Sequence, residues 1–422
     1  MSLPEVFVLS STRTPIGRFG GTLAGFTAPE LGAFAARFAM ERARLEAGEV
    51  DEVIFGHARQ AGNGPNPARQ VGARVGVPRE TPAFTVNQAC ASGLKAMLLG
   101  ADAIRLGRAR HVLAGGQEAM SRTPYLLERA RWGYRMGNAE VVDGMTRDGF
   151  FCPIAKELMG ETAETLAREL SITRLEQDAF ALESQRRAAA ALERGLFDDE
   201  TAPVEIDDRK GRTLFSRDEH PRPDTTAETL AKLPPVFGKD GTVTAGNSSG
   251  ITDGGAALVL GDAAAAAACR ERGGAPLARL VDAVVVGCDP ARMGLGPVPA
   301  VRALLSKTGL SLDDFALVEL NEAFASQALA CIRELGLDPA RVNVNGGAIA
   351  LGHPIGATGA RITATLLHEM RRRKARFGLA TLCVSGGMGV AVAFENVFES
   401  VSGDVPGRVF GRGDVAKTAD LG

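Results

Sequence analysis

The spacing of apolar and polar positions switches repeatedly along the chain, and each switch marks a new element. Residues 5–10 (EVFVLS) read as a buried strand, followed by the turn-rich stretch TRTPIGRFGG. Residues 29–47 carry apolar side chains at helical spacing with Pro29 at the start, which predicts a helix. VDEVIFG (50–56), FTVNQ (84–88) and HVLAGG (111–116) read as further strands, and residues 91–107 as a helix between the last two. Alternation of this kind predicts an α/β protein.

The C-terminal third follows the same plan. FALVEL (315–320) resembles VDEVIFG, RVNVNGG (341–347) resembles FTVNQACASG, and LATLCVSGGMG (379–389) resembles HVLAGGQEAM. The order is the same in both, which suggests two similar α/β halves. The competing explanation is that short strands in any α/β protein look alike. The expected organisation is an N-terminal half over 1–120 completed by 246–275, a loop domain over 121–245, a C-terminal half over 276–397 and a polar tail over 398–422. The inserted segment is richer in charge, with helices expected at 161–169 and 174–195. The alanine run 263–268 belongs inside a helix. The basic run MRRRKAR (370–376) suits a helix C-terminus, where cations complement the backbone dipole.

Composition narrows the classes. Apolar residues make up 45% and charged residues 23%, which excludes global disorder. A net charge of −2 and 5% aromatics argue against a nucleic-acid surface. No apolar run approaches the ~18 residues of a membrane span. Residues Met1–Glu5 carry neither a basic segment nor a long apolar core, so no signal peptide is expected and the cytoplasm is the default. The six cysteines form no C-x-x-C pair, which argues against a zinc ribbon or a dithiol redox motif. The 51 glycines cluster in short loops between apolar runs, where a backbone can approach a ligand closely.

Four loops carry candidate chemistry. Cys90 stands where a strand gives way to a helix, and free N–H groups at a helix start favour a thiolate; a small buried hydrophobe is the bland alternative. His353 lies in the glycine-rich GGAIALGHPIGATG, where an imidazole could act as a base near neutral pH, although ordinary αβ turns also use glycine. Cys383 sits at a strand end like Cys90. Asn321, in LNEAF, is either a site donor or a turn former. All four lie where α/β proteins build sites.

The blocks NQACASGLKA, ELNEAFA, NVNGGAIALGHPIGATGAR and LCVSGGMGVA resemble thiolase signatures, in the thiolase order, and TVTAGNSSGITDGGAA adds a fifth. The resemblance covers roughly residues 5–397. It implies a five-layer α-β-α-β-α fold of two similar halves with an inserted loop domain. It also implies reversible acyl transfer between 3-ketoacyl-CoA and coenzyme A, short-chain or broad in range. Cys90 would carry the acyl group, His353 would deprotonate it, and Cys383 would move the proton at C2 of acetyl-CoA. Asn321 would hold a water that completes one oxyanion hole with His353, and the amides of Cys90 and Ser385 would form the second. Ser249, Arg222, Phe237 and Met159 match coenzyme A contacts, Met293 matches a lining residue of the acyl pocket, and Phe324 joins this substrate-binding set. No cofactor or metal is implied, because two cysteines and one histidine account for every proton moved. The implied partners are acyl-CoA and coenzyme A, further copies of the chain in a homodimer or homotetramer (residues 121–140 being a candidate assembly loop), and a β-oxidation partner subunit for which no docking feature stands out. Nucleic acid and a membrane span are not expected.

Two positions depart from the family pattern. Leu158 replaces a histidine common in biosynthetic thiolases and removes a polar contact near the pantetheine. Ser385 stands where glycine is usual, so strain is expected there if the backbone turns left-handed. Two other classes remain in view. A ketosynthase-type enzyme would pair one cysteine with two histidines, and this chain offers Cys383 instead. A non-catalytic acyl-CoA-binding module would not need Cys90, His353 and Cys383 together.

Overall fold

The computed structural model describes residues 3–208 and 211–397, so the expected tail lies outside them. In chain order, the first half contains β1 (Phe7–Arg13), α1 (Ala28–Ala43), β2 (Glu52–Gly56), α2 (Pro67–Arg74), β3 (Ala83–Val86), α3 (Ser92–Arg105) and β4 (His111–Ala119). A long segment follows with α4 (Met159–Glu169), α5 (Arg174–Glu193) and several short strand pairs. Next come β5 (Thr252–Gly261), α6 (Ala263–Glu271), β6 (Ala278–Gly287), α7 (Pro297–Thr308), β7 (Phe315–Leu320), α8 (Ala325–Leu335), α9 (Ile355–Arg373), β8 (Phe377–Val384) and β9 (Met388–Asn396). The alanine run begins α6, and the basic run ends α9, as the sequence pattern predicts.

Hydrogen bonding links the main strands in the order β7-β8-β9-β6-β1-β5-β4-β2-β3. The pattern reads alike from either end. β2 runs parallel to β4 as β7 does to β8. β4 meets β5, and β8 meets β9, in antiparallel register. Within the sheet the two halves meet at two ladder pairs, Phe7 with Arg279 and Val8 with Ala278. The equivalent of β3 in the second half shrinks to a single bridge between Val318 and Val342. Asn343 explains the break: it turns left-handed (φ 45°), and its side chain bonds the Leu320 amide and carbonyl instead of continuing a ladder.

The layers follow from which faces are apolar. Strands β4, β5 and β8 are buried along their whole length, so their sequences are near-continuous apolar runs. Helices α3 and α9 share one core with both halves of the sheet and form the middle layer. α1, α2 and α6 cover the first half from outside, and α7 and α8 cover the second. Close approach in the middle layer demands glycine. A Cβ on Gly116 of β4 would stand 2.1 Å from the Gly356 carbonyl oxygen in the first turn of α9. The starts of α3 and α9 are thereby held at one end of the sheet. Among the described residues, no helix is long and apolar enough to cross a membrane.

Candidate active site

The Cys90 loop is a local construction. After β3, the Asn87 Oδ1 accepts the Ala89 amide at 2.9 Å. The Ser92 hydroxyl accepts the Gln88 amide at 2.9 Å and donates to the Ala89 carbonyl at 2.7 Å. These bonds hold Ala89 left-handed (φ 45°), at a cost of about 1–2 kcal/mol for a residue with a Cβ. Cys90 follows, half-buried, two residues before α3. Burial raises its thiol pKa, while the amides of Ser385 and of Cys90 itself and the charge of Arg59 pull the other way. The two amides that the family resemblance assigns to an oxyanion hole both face the sulfur.

Cys383 enters from the other half, at the next-to-last position of β8 and 1% exposed. Burial, with Cys90 as the next contributor, pushes its thiol well above the ordinary range. The turn into β9 places the left-handed backbone at Gly386 and Gly387, and Ser385 is outside the positive-φ region. The strain expected at Ser385 is therefore absent, and the non-glycine residue that carries it in the site loops is Ala89. Ser385→Gly is accordingly expected to lower stability by roughly 0.5–1 kcal/mol through unfolded-state entropy. Urea unfolding measures this, and a gain in stability would contradict the backbone assignment.

His353 is fixed by its neighbours. Its amide donates to the Gly250 carbonyl at 3.1 Å, and its Nδ1 lies 2.6 Å from Thr358 Oγ1. That hydroxyl donates onward to the Pro354 carbonyl at 3.0 Å, so it accepts Nδ1–H and leaves Nε2 as the free base. Burial, reinforced by the charges of Arg361 and Arg59, lowers the imidazole pKa to about 3, so the ring is neutral. The loop before it is fastened by Glu322, whose carboxylate takes the Ser184 hydroxyl at 2.7 Å, the Asn343 amide group at 2.8 Å and the Ile349 backbone amide at 3.2 Å. Asn321 hydrogen-bonds through its backbone to Thr381, but its buried carboxamide has no partner at either atom.

These pieces meet at a cavity of about 60 Å³. Cys90, His353, Cys383, Ser385, Ser249, Met159, Met293 and Phe324 all line it. Phe237 stands behind, edge-on to Phe324 at 6.3 Å and packed on Gly160. Arg222 is not brought to this cavity; it borders a separate one of about 220 Å³ with Gln185 and His220. Asn321 is likewise not on the wall. Leu158 is half-buried, and its amide is capped by Glu161 just ahead of Met159.

The sequence reading missed Arg59, Gly149, Phe150 and Ile355, which line the same cavity. It also missed Glu118, which accepts the amides of Ala58, Arg59 and Gly356 and lies 3.2 Å from His57 Nε2. Burial works to raise the Glu118 pKa, but His57 and Arg59 outweigh it and leave the carboxyl ionised. A glutamate near the end of the fully buried β4 was the one available signal, because a buried carboxylate requires partners. Among the described residues, no group of three His, Cys, Asp or Glu is placed to hold a metal.

Fold and cavity together define the class. This is a five-layer α/β protein in which each half sends a cysteine to one small shared cavity beside a neutral histidine. The chain belongs to the thiolase family: residues 6–264 match the thiolase N-terminal domain and residues 274–396 the thiolase C-terminal domain. It is 55% identical to an acetyl-CoA acetyltransferase of Pseudomonas aeruginosa over 92% of this chain and 99% of that one. It is 51% identical to an acetyl-CoA acetyltransferase of Escherichia coli, covering 92% and 98%. Among solved structures, human mitochondrial 3-ketoacyl-CoA thiolase superposes with a TM-score of 0.89 at 46% identity, covering 93% of this chain and 99% of that one. The Bacillus anthracis acetyl-CoA acetyltransferase gives 0.90 at 47%, covering 94% and 100%.

Proposed function

We propose that the protein is an acyltransferase that exchanges short acyl groups between 3-ketoacyl-CoA and coenzyme A through a thioester on Cys90. The observation that carries this reading is the meeting of Cys90, His353, Cys383 and the Ser385 amide at one cavity. His353 Nε2 takes the Cys90 proton as sulfur attacks the thioester carbonyl. The Cys90 and Ser385 amides face the oxygen that gains charge, and a water on the Asn321 carboxamide serves the second oxyanion together with His353. Cys383 exchanges the proton at C2. Residue chemistry alone moves each proton, so neither a metal nor a cofactor enters the scheme.

Residues 121–245 act as the loop domain over the site, and Met159 and Phe150 reach the cavity from it. Ser249, Phe237, Met159 and Phe324 contact the pantetheine end, and the exposed Arg222 faces the coenzyme A phosphates. The protein works in the cytoplasm, in keeping with six free thiols. It assembles as a homodimer or homotetramer, for which the exposed Leu127, Trp132 and Met136 and the open edge of β3 offer surface. A β-oxidation partner subunit belongs to the same reading.

The cavity has room for about two water-sized volumes, which suits an acetyl group. Thiolysis kinetics on neutral 3-ketoacyl-CoA esters test the reading. kcat/KM is expected to peak at four carbons and fall by roughly tenfold or more by eight, since a misfitting methylene costs on the order of 1–3 kcal/mol. Absence of thiolysis at every length would overturn the proposal.

A further inference from the structure

The end of α9 opposite to His353 borders a second cleft, of about 510 Å³, at the seam between the halves. The helix rises about 20 Å from its first residue to His368, so this cleft is remote from Cys90. The sheet opens there. β1 pairs with β6 at Phe7 and Val8, and its next backbone pairing on that side is at Arg13, which bonds Glu200 and Ala202. Leu9, Ser10 and Ser11, in the gap, form one wall. The hydroxyls of Ser10 and Thr12 both donate to α1, at the carbonyls of Ala39 and Ala35. Strand alternation turns Ser11 the other way, toward α9, where its carbonyl accepts His368 Nε2–H at 2.9 Å. The Ser11 hydroxyl is buried and has no partner.

Most of the remaining side chains on the wall are cationic. Arg42 and Arg44 come from the end of α1 and Arg371 and Arg372 from the end of α9, against one acid, Asp199. The usual reason for such cations is a helix C-terminus with open carbonyls. Here the backbone already closes both ends. Each helix stops at a left-handed residue, Arg44 or Lys374 (φ 54° in both), whose amide takes the last carbonyls together with the amide of Leu45 or Ala375. Arg372 is committed to Glu369 and to the Leu196 carbonyl. Arg42 donates to the carbonyls of Asp199 and Thr201, and acids reach it only at longer range. Arg44 is exposed. Among the described residues, no carboxylate lies within ion-pair distance of Arg42 or Arg44. The two helices lie on opposite faces of β1, so their guanidinium groups approach the cleft from two sides. Two sets of planar N–H forks match an anion with two adjoining phosphate groups, one for each side. The volume falls within the roughly 300–1,000 Å³ of small-molecule sites.

We infer that this cleft is a diphosphate-binding site, separate from the Cys90 cavity, whose ligand bridges the two halves of the molecule. Arg42 and Arg44 meet the phosphates from one side and Arg371 from the other, and Ser11 offers a hydroxyl at the base. No covalent bond is made or broken. The inference stands independently of the acyl-transfer reading.

Isothermal titration calorimetry with sodium pyrophosphate and with ADP, in EDTA at fixed ionic strength, tests it, with sodium sulfate as the control anion. The unaltered protein is expected to bind one pyrophosphate or one ADP per chain, and sulfate at least tenfold more weakly, about the scale of one charge-assisted hydrogen bond. Tighter binding of ADP would identify a nucleotide as the source of the diphosphate, and equal or tighter binding of pyrophosphate the inorganic ion. Replacing Arg44→Gln and Arg371→Gln together is expected to weaken binding by about tenfold for each arginine lost. Arg222→Ala, altered at the separate pocket of about 220 Å³, is expected to keep full affinity. If the double variant does not fold, Arg44→Gln alone decides, since that side chain is exposed. Affinity lost in Arg222→Ala and kept in Arg44→Gln would put the ligand on the other side of the molecule and refute the site. Sulfate bound as tightly as the diphosphates, or no saturable heat from either diphosphate, would overturn it as well. The readout does not depend on turnover, so failure of the acyl-transfer reading would leave this test standing.

Discussion

Cys90→Ala is expected to abolish acyl transfer, lowering kcat by roughly 10⁴-fold or more, the scale seen when a covalent nucleophile is removed. The geometry leaves no substitute. Cys383 is the other thiol on the cavity wall, but its pKa lies well above the ordinary range and it belongs to the opposite half. The expected resting pair is a neutral thiol beside a neutral imidazole, because burial raises the Cys90 pKa and lowers that of His353 to about 3. Reactivity toward iodoacetamide should therefore rise with pH across the neutral range, without the low-pH plateau of a preformed thiolate–imidazolium pair. Intact-mass analysis after incubation with acetyl-CoA provides the direct check. One acetyl group should appear, map to Cys90 and vanish in the alanine variant. An acetyl group on any other cysteine would refute the assignment.

Cys383→Ser is expected to separate two activities that the unaltered protein joins. Acetylation of Cys90 needs only Cys90, His353 and the two amides, so it should persist. Condensation and exchange of the C2 proton should fall by about 10²–10⁴-fold, the usual worth of a positioned acid–base group. A hydroxyl cannot hold the charge that a thiolate can, and burial would raise its pKa further. In the proposed mechanism the raised thiol pKa is useful for cleavage: Cys383 would rest protonated, ready to deliver its proton as the carbon–carbon bond breaks. Deuterium exchange into acetyl-CoA, followed beside the acetylation assay, reads the two steps separately. Equal loss of both would show that the roles are not divided between the cysteines in this way.

The strands and helices were legible because each half is written in strong local patterns. FALVEL and VDEVIFG became β7 and β2, which occupy matching places in the sheet. The strand expected at 341–347 failed because Asn343 prefers a left-handed turn when its side chain can replace the ladder bonds. At the site, Cys90, His353 and Cys383 could be read from position and motif, since each ends an element. Strain was expected at Ser385 but lies at Ala89. A turn motif announces that some residue must bend, whereas which one does depends on bonds such as those from Asn87 and Ser92. Arg59 could not be read at all. In HARQ it resembles a surface arginine, and only the folded backbone shows that its neighbours are Gly149 and Phe150 from ninety residues downstream.

The narrow seam between the halves has a consequence for the order in which the molecule is made. Phe7 leaves the ribosome some 250 residues or more ahead of its neighbours in the sheet, Gly261 and Arg279. At typical synthesis rates of about 5–20 residues per second, β1 waits on the order of 10–50 s for them. The inward face of α3 waits about as long, because α9 covers it only when the chain has passed Met370. During that interval Leu94, whose neighbour in α9 is Gly359, is apolar surface facing solvent. Contacts so distant in sequence also slow closure of the finished chain. Until α9 arrives the nascent chain therefore leaves the inner face of α3 uncovered, and a fragment ending near residue 275 would keep it so.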